Sequence, residues 1–189
     1  MKNHILPATL LTLCCIVFFS GVYTAVVWGV AQFAPNKGNG EIIQYADKAK
    51  YGFTNVGQSF TDNKYFWSRP SAVSYNAAGS AGSNKGPSNP DYLAQVQGRI
   101  DTFLLHNPGI EKSKIPADLI TASGSGLDPH ISLQAALVQV SRIAKLRGIS
   151  DEKLRALVND FTEQPLLGFL GPSRVHVLKL NIALDAAVK

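Results

Sequence analysis

Four stretches of this sequence have residue types and spacings that could do chemistry. Ser123-Gly124-Ser125-Gly126 is a serine- and glycine-rich turn with Asp128-Pro129-His130 close behind it. A nucleophile elbow needs G-x-S-x-G, so that the serine stands on a sharp strand-to-helix turn. Thr121 stands where one frame needs glycine and Ser123 where the other does, so the signature fails in both. Two readings remain: a helix N-terminus able to bind an anion, or a turn with capping serines. Gly79 to Pro87 reads GSAGSNKGP. A phosphate-cradling loop needs G-x-x-x-x-G-K-[ST], whereas here Lys85 precedes Gly86 and no Ser or Thr follows in place.

Ser150-Asp151-Glu152-Lys153 fits the Ser-x-x-Lys spacing of some membrane-bound hydrolases, but it also reads as a helix cap with acidic residues in the first turn. His106, His130 and His176 have no partner at metal-ligand spacing, so they read as loop or edge residues and no metal site is expected. Tyr65-Phe66-Trp67-Ser68-Arg69-Pro70 packs three aromatics beside an arginine, a composition enriched at interfaces. A core strand ending at Pro70 explains it equally well.

The elements that must position these residues fall into two unlike parts. The chain has 189 residues, enough for one domain and little more. It is 46% hydrophobic and only 16% charged, against about 25% charged in ordinary soluble domains. That excludes a disordered chain. The reason for the low charge is local. No charged residue occurs from Ile5 to Asn36, and the apolar core runs from Pro7 to Phe33. About 20 apolar residues cross a bilayer as a helix. The run exceeds the 7–15 residues of a signal-peptide core, which favours a retained anchor. Pro7 suits a first helical turn, and Tyr23, Trp28 and Phe33 form an aromatic belt. Residues 1–36 are therefore read as a tail and a single transmembrane helix. Lys2 before it and Lys37, Lys48 and Lys50 after it leave its orientation open.

Residues 37–189 carry every basic residue but Lys2 and all 13 acidic ones, a net charge of +4. They contain no run of Lys or Arg, which argues against nucleic-acid binding. Both cysteines, Cys14 and Cys15, lie in the anchor, so the domain uses no disulfide.

Strands are expected at Phe53–Phe60, Tyr65–Val73, Leu119–Thr121 and Arg174–Leu178. Ala77–Pro90 is nearly all Gly, Ser, Asn, Pro and Ala and reads as an exposed loop. Helices are expected from Pro90 to His106 behind an Asn89 cap, from Ile131 to Arg147 with Gly148 at its end, from Ser150 through Phe161, and over Asn181–Val188. The first of these should show Leu93, Val96, Ile100, Phe103 and Leu104 on one face. Strands and helices mix without strict alternation, so the fold class is α+β with one N-terminal transmembrane helix. No constellation carries catalysis, and the residues alone suggest an accessory or interaction subunit.

Five segments in order carry a resemblance over nearly the full length: the anchor with Pro7 and Thr9, YFWSRPSAV (65–73), AGSNKGPSNP (81–90), TASGSGLDPHIS (121–132) and GFLGPSRVHVLKLNIALD (168–185). With them the chain resembles the C subunit of the bacterial Kdp potassium-transporting P-type ATPase. It departs at Gly171-Pro172-Ser173-Arg174, where the family has an acidic residue between Gly and Pro.

The resemblance implies a complex with an ATP-hydrolysing P-type subunit, a channel-like potassium-binding subunit and a small single-helix subunit. It implies no chemistry of the chain's own and no tightly bound cofactor. ATP would be met through the complex, and potassium would be carried by the partners. Two roles attach to the family: a catalytic chaperone that raises the ATP affinity of the hydrolysing subunit, and an external cap near the ion entrance that holds the complex together.

By the same resemblance the N-terminus is expected in the cytoplasm and the domain outside the bacterial inner membrane. Ser123, Gly124, Ser125, Gly126 and Gln134 are the candidates for nucleotide contact. Tyr65, Phe66, Trp67, Arg69, Asn84 and Pro87 are the candidates for the subunit interface. A net charge of +4 sits awkwardly with a potassium funnel, which should be acidic. The alternatives are a membrane-anchored Ser150/Lys153 hydrolase and a stand-alone surface binding module.

Overall fold

A computed structural model of the chain describes residues 2–44 and 50–187. Its contacts divide the chain between Ile42 and Ile43 into two units.

The first unit is dominated by one long apolar helix. From His4 to Ala31 it has 28 residues, a mean hydropathy of 2.3 and no buried side chains, long and apolar enough to cross a membrane. It comprises α1 (Lys2–Ile16), a π-helical stretch (Val17–Tyr23) and α2 (Thr24–Ala31). Because the helix starts at Lys2, Pro7 lies inside it, beyond the first turn where the sequence suggested it. Its three threonine hydroxyls bond back to the helix's own carbonyls. Thr9 and Thr12 donate to the residues four before them at 2.9 Å, and Thr24 donates to Phe19 O, five before, at 3.1 Å. Such back-bonding satisfies polar groups where no water can.

The second unit mixes short strands and helices, as an α+β domain should. Strand β1 (Ile42–Gln44), whose first residue is the last of the first unit, pairs with β2 (Lys50–Phe53) as a two-stranded sheet. The longest helix, α3 (Pro90–His106), begins as expected: Asn89 accepts from Tyr92 N, and Pro90 takes the first position, where no N–H is needed. It buries Ile100 and Phe103 but leaves Leu93 exposed, so its apolar face is narrower than its sequence spacing implied.

The expected helix over 131–147 is instead three pieces. Strand β3 (His130–Ser132) leads into α4 (Leu133–Leu137), and α5 (Val140–Arg147) follows after a break. Ser132 ends the strand and caps α4 by accepting from Ala135 N at 3.0 Å. Gly148 closes α5 with φ +66, the left-handed conformation that glycine adopts at least cost. Helix α6 (Asp151–Asp160) is capped by Ser150, which accepts from Lys153 N.

Strands β4 (Thr162–Glu163) and β5 (Arg174–His176) complete an antiparallel sheet in the order β3-β5-β4, with His130 opposite His176 and Ile131 opposite Val175. The final helix, α7 (Val177–Ala187), starts directly at the end of β5. The expected strand to Leu178 is therefore shorter, and the helix starts earlier than Asn181. Its expected end, Val188, is outside the described residues. Leu119–Thr121 is no strand: it ends a 3-10 turn (Ala117–Leu119). Strand structure likewise stops at Phe53, and 54–60 and 65–73 run without ladder partners.

The core lies between the sheet and α4–α7. Ile131, Val140, Ile143, Leu154, Val158, Val175, Leu180 and Leu184 are all buried there, and Phe66 and Phe103 close one side. Each such side chain contributes about 1.5–3 kcal/mol by leaving water.

Candidate functional site

The aromatic segment is built into the domain by side chains rather than by strand pairing. Phe66 is fully buried. Asn181 of α7 receives its N–H at 2.9 Å and donates to its carbonyl at 3.0 Å. Next along, Trp67 N donates to Gln139 Oε1 at 2.8 Å. Gln139, itself fully buried at the α4–α5 break, donates to Ala135 O and accepts from Arg142 Nη2 at 2.7 Å.

Arg142 then spreads its guanidinium over four acceptors: Asn107 Oδ1, Asn63 O, Tyr65 O and Gln139 Oε1. It also stacks 4.6 Å from the Trp67 ring. Burial lowers its pKa to about 10, which leaves it charged at neutral pH. A planar five-donor fork is suited to holding several carbonyls at once. Tyr65 donates through its hydroxyl to Asp185, which also pairs with Arg147 at 2.7 Å.

Ser123–Gly126 sits where three of the family-like segments cross. Ser123 is buried, and its N–H donates to Pro70 O at 3.1 Å. Ser71 Oγ donates to Gly126 O at 2.7 Å, and Ser80 Oγ donates to Ser125 O at 2.9 Å. Ser125 Oγ accepts from Leu127 N. Gly126 has φ +68, and a Cβ there would lie 2.5 Å from Val73 Cγ2 and 2.8 Å from Ala81 O. Gly57 also touches this turn, since a Cβ on it would lie 2.5 Å from Asp128 O. The glycines thus permit close crossing of backbones. Among the described residues, Gln134 shares no hydrogen bond with the turn; it is exposed on α4.

A charged cluster follows the turn. Asp128 pairs with Arg69 at 2.9 Å and accepts from His130 N at 3.0 Å. Burial alone would raise the Asp128 carboxyl, but the bonds from His130 and Arg69 outweigh it and hold it down at about 2. The His130 ring lies between Asp128 and Glu163 and meets the His176 ring edge-on at 5.1 Å. His176 is buried. Its Nε2 is 2.8 Å from Thr54 O, an acceptor only, so Nε2 carries the proton and Nδ1 accepts from Lys179 N. Burial pushes its pKa below the ordinary histidine value.

A cleft of about 810 Å³ opens between α3 and residues 59–75, with Trp67, Arg69 and Tyr75 on one wall and Gln95, Arg99 and His106 on the other. None of Ser123, Gly124, Ser125, Gly126 and Gln134 lines it. Tyr65, Trp67 and Arg69 are half-buried, whereas Asn84 and Pro87 are exposed on the long loop. Ser150 caps α6, and Lys153 contributes its backbone N–H to that cap.

Reading the residues alone missed Gln139, Arg142 and Asn181. Asn181 lies among the buried leucines of α7, Arg142 among Val140, Ile143 and Ala144 of α5, and Gln139 at the break before α5.

A family model described as "K+-transporting ATPase, c chain" (KdpC) matches residues 5–186. The chain is 55% identical over 185 residues to the potassium-transporting ATPase KdpC subunit of Flavobacterium psychrophilum, covering 98% of each. It is 52% identical over 190 residues to that of Phocaeicola vulgatus, covering 99% of this chain and all of the relative. To that of Geobacter metallireducens it is 46% identical over 187 residues, 97% of each.

Proposed function

Because the chain belongs to the KdpC family of K+-transporting ATPase c chains, we propose that it acts as the membrane-anchored, non-catalytic subunit of an ATP-driven potassium-uptake complex, and that its domain serves assembly rather than direct nucleotide contact. The partners are a P-type subunit that hydrolyses ATP, a channel-like subunit that carries potassium and a small single-helix subunit. The chain crosses the bacterial inner membrane once, with a cytoplasmic N-terminus and the domain outside.

The observation that carries the assembly reading is the state of the Ser123–Gly126 turn. Its Ser123 and Gly126 N–H groups donate to Pro70 O and Ser123 O, its Ser125 and Gly126 carbonyls accept from Ser80 and Ser71, and among the described residues only its Gly124 and Ser125 N–H groups are left without a bond. A phosphate-binding turn instead aims free backbone N–H groups at its ligand. Gln134 stands apart from it, and neither lines the large cleft. The Ser150–Lys153 pair, as a helix cap, supports no hydrolase.

Trypsin treatment of intact spheroplasts tests the topology on which this depends. Digestion of the domain, with a cytoplasmic control untouched, is the expected result. Protection until lysis would place the domain beside cytoplasmic ATP and revive the chaperone role. Gln134→Ala in the whole complex would then have to weaken ATP affinity; on the assembly reading it leaves that affinity unchanged.

A further inference from the structure

Between β4 and β5 the domain raises an apolar finger. No charged residue occurs from Gln164 to Ser173. The finger is a tight hairpin: Leu166 N donates to Leu170 O at 3.0 Å, Leu170 N returns to Leu166 O at 2.9 Å, and Gly168 N donates to Pro165 O at 2.9 Å. Its tip side chains point away from the core. Leu166 is 69% exposed, Leu167 76%, Phe169 74% and Leu170 50%. At the neck, Arg174 and Glu163 pair at 2.9 Å and so cancel the nearest charges. Among the described residues, the domain's other exposed large apolar ones, Phe53, Leu93, Leu105 and Leu146, are isolated in sequence, and single ones are ordinary on any surface. Four within five residues are not.

We propose that this hairpin is a plug that seats the domain in an uncharged apolar hollow of a membrane-embedded protein subunit. The proposal rests on the reading that the chain works inside a potassium-transport complex.

Three features choose a protein hollow over other occupants. First, Leu167 holds φ +56, a left-handed conformation that disfavours branched side chains. Such strain fixes where one leucine points, which a shaped pocket uses and a fluid bilayer does not. Second, loops that rest on lipid carry Lys or Arg and Trp or Tyr at the headgroup level. Residues 164–173 have none of these. Third, the tip offers on the order of 500 Å², below the roughly 800 Å² per partner of a free-standing pair. A second copy docking on it alone would not hold. A partner that also binds the anchor helix would, because the second attachment raises the effective concentration of the first.

The test uses the whole complex, purified through a tag on the ATP-hydrolysing subunit. A benzophenone amino acid replaces Phe169, and in a control it replaces Leu146. The expected result is a cross-linked product joining this chain to one membrane-embedded subunit of the complex, identified by its peptides, from position 169 and not from 146. The pair Leu167→Asn and Phe169→Gln, both exposed and with asparagine tolerant of positive φ, should leave the chain's thermal midpoint unchanged. It should lower the amount retained in the complex after a detergent wash about tenfold or more. Cross-links only to lipid or to a second copy, or unchanged retention, overturn the plug while the wild-type chain still co-purifies. If the wild-type chain does not co-purify with the tagged subunit at all, the transport-complex reading fails first and the plug with it.

Discussion

Asn181 grips the backbone of Phe66 from both sides, accepting its N–H at 2.9 Å and donating to its carbonyl at 3.0 Å across 115 residues of sequence. The amide side chain imitates a neighbouring strand for one residue. It thereby lets a segment with no ladder partners lie in the core without orphaned backbone groups.

Asn181→Leu keeps the volume and removes both bonds. Two buried backbone groups then lose their partners, at about 1–3 kcal/mol each. The expected fall in the thermal midpoint of the full chain in detergent is several degrees, at roughly 2–4 °C per kcal/mol for this length. A midpoint within a degree of wild type would mean that Phe66 has other partners to turn to.

Ser150 and Lys153 should behave as a cap and its neighbour. Ser150→Ala removes the acceptor for Lys153 N and should cost about 1 kcal/mol of stability. Lys153→Ala leaves that bond in place and should cost less than about 0.5 kcal/mol. Equal loss of complex activity in both variants, together with labelling of Ser150 by a serine-reactive probe, would restore the dyad.

Acid should weaken the domain in two separate windows. His176 is held neutral, with a folded pKa below its unfolded value near 6.5. The unfolded state therefore takes up the proton first, and stability is complete above that value and declines as pH falls below it. The second window belongs to Asp128, held at about 2 against an ordinary value near 4. Its contribution, roughly 2 kcal/mol, is present above pH 4 and is lost as pH falls toward 2. Denaturant melts across pH check both: His176→Gln should flatten the upper limb alone and Asp128→Asn the lower limb alone.

Gly126→Ala should be among the most damaging single methyl additions in the domain. The new Cβ meets Val73 and Ala81 O well inside contact distance, and φ +68 is unfavourable for alanine. A loss of about 2 kcal/mol or more is expected. Gly79→Ala, with nothing near its Cβ, should change little.

The helices were the legible part of this fold, because their signals are local. Asn89-Pro90, Ser150 and Gly148 mark ends by chemistry that acts within one turn. The irregular segments were not legible. Tyr65–Val73 has the composition of a strand, but its partners are side chains of Gln139, Arg142 and Asn181, contributed from distant helices, and periodicity carries no trace of such pairing. The break at Gln139 was hidden for the same reason. Val138 and Val140 flank it within an otherwise helical pattern, and the buried amide takes up Ala135 O, the carbonyl that the Gln139 N–H would use in a continuous helix. At the candidate site, the Ser-Gly turn was visible as a turn. That its Ser123 N–H and its Ser125 and Gly126 carbonyls are taken up by Pro70, Ser80 and Ser71 depends on a crossing of three segments that only the fold brings together.

The middle strand of the main sheet and the helix that grips Phe66 both come from Arg174 onward. A chain emerging from the ribosome lacks both until the segment from Arg174 to Ala187 is out. Its earlier apolar segments have no sheet to join and no amide to hold them, and bringing them together means closing loops of more than 100 residues. The topology thus makes completion of this fold wait for the segment from Arg174 onward, and leaves the rest of the domain before it extended and pliable until then.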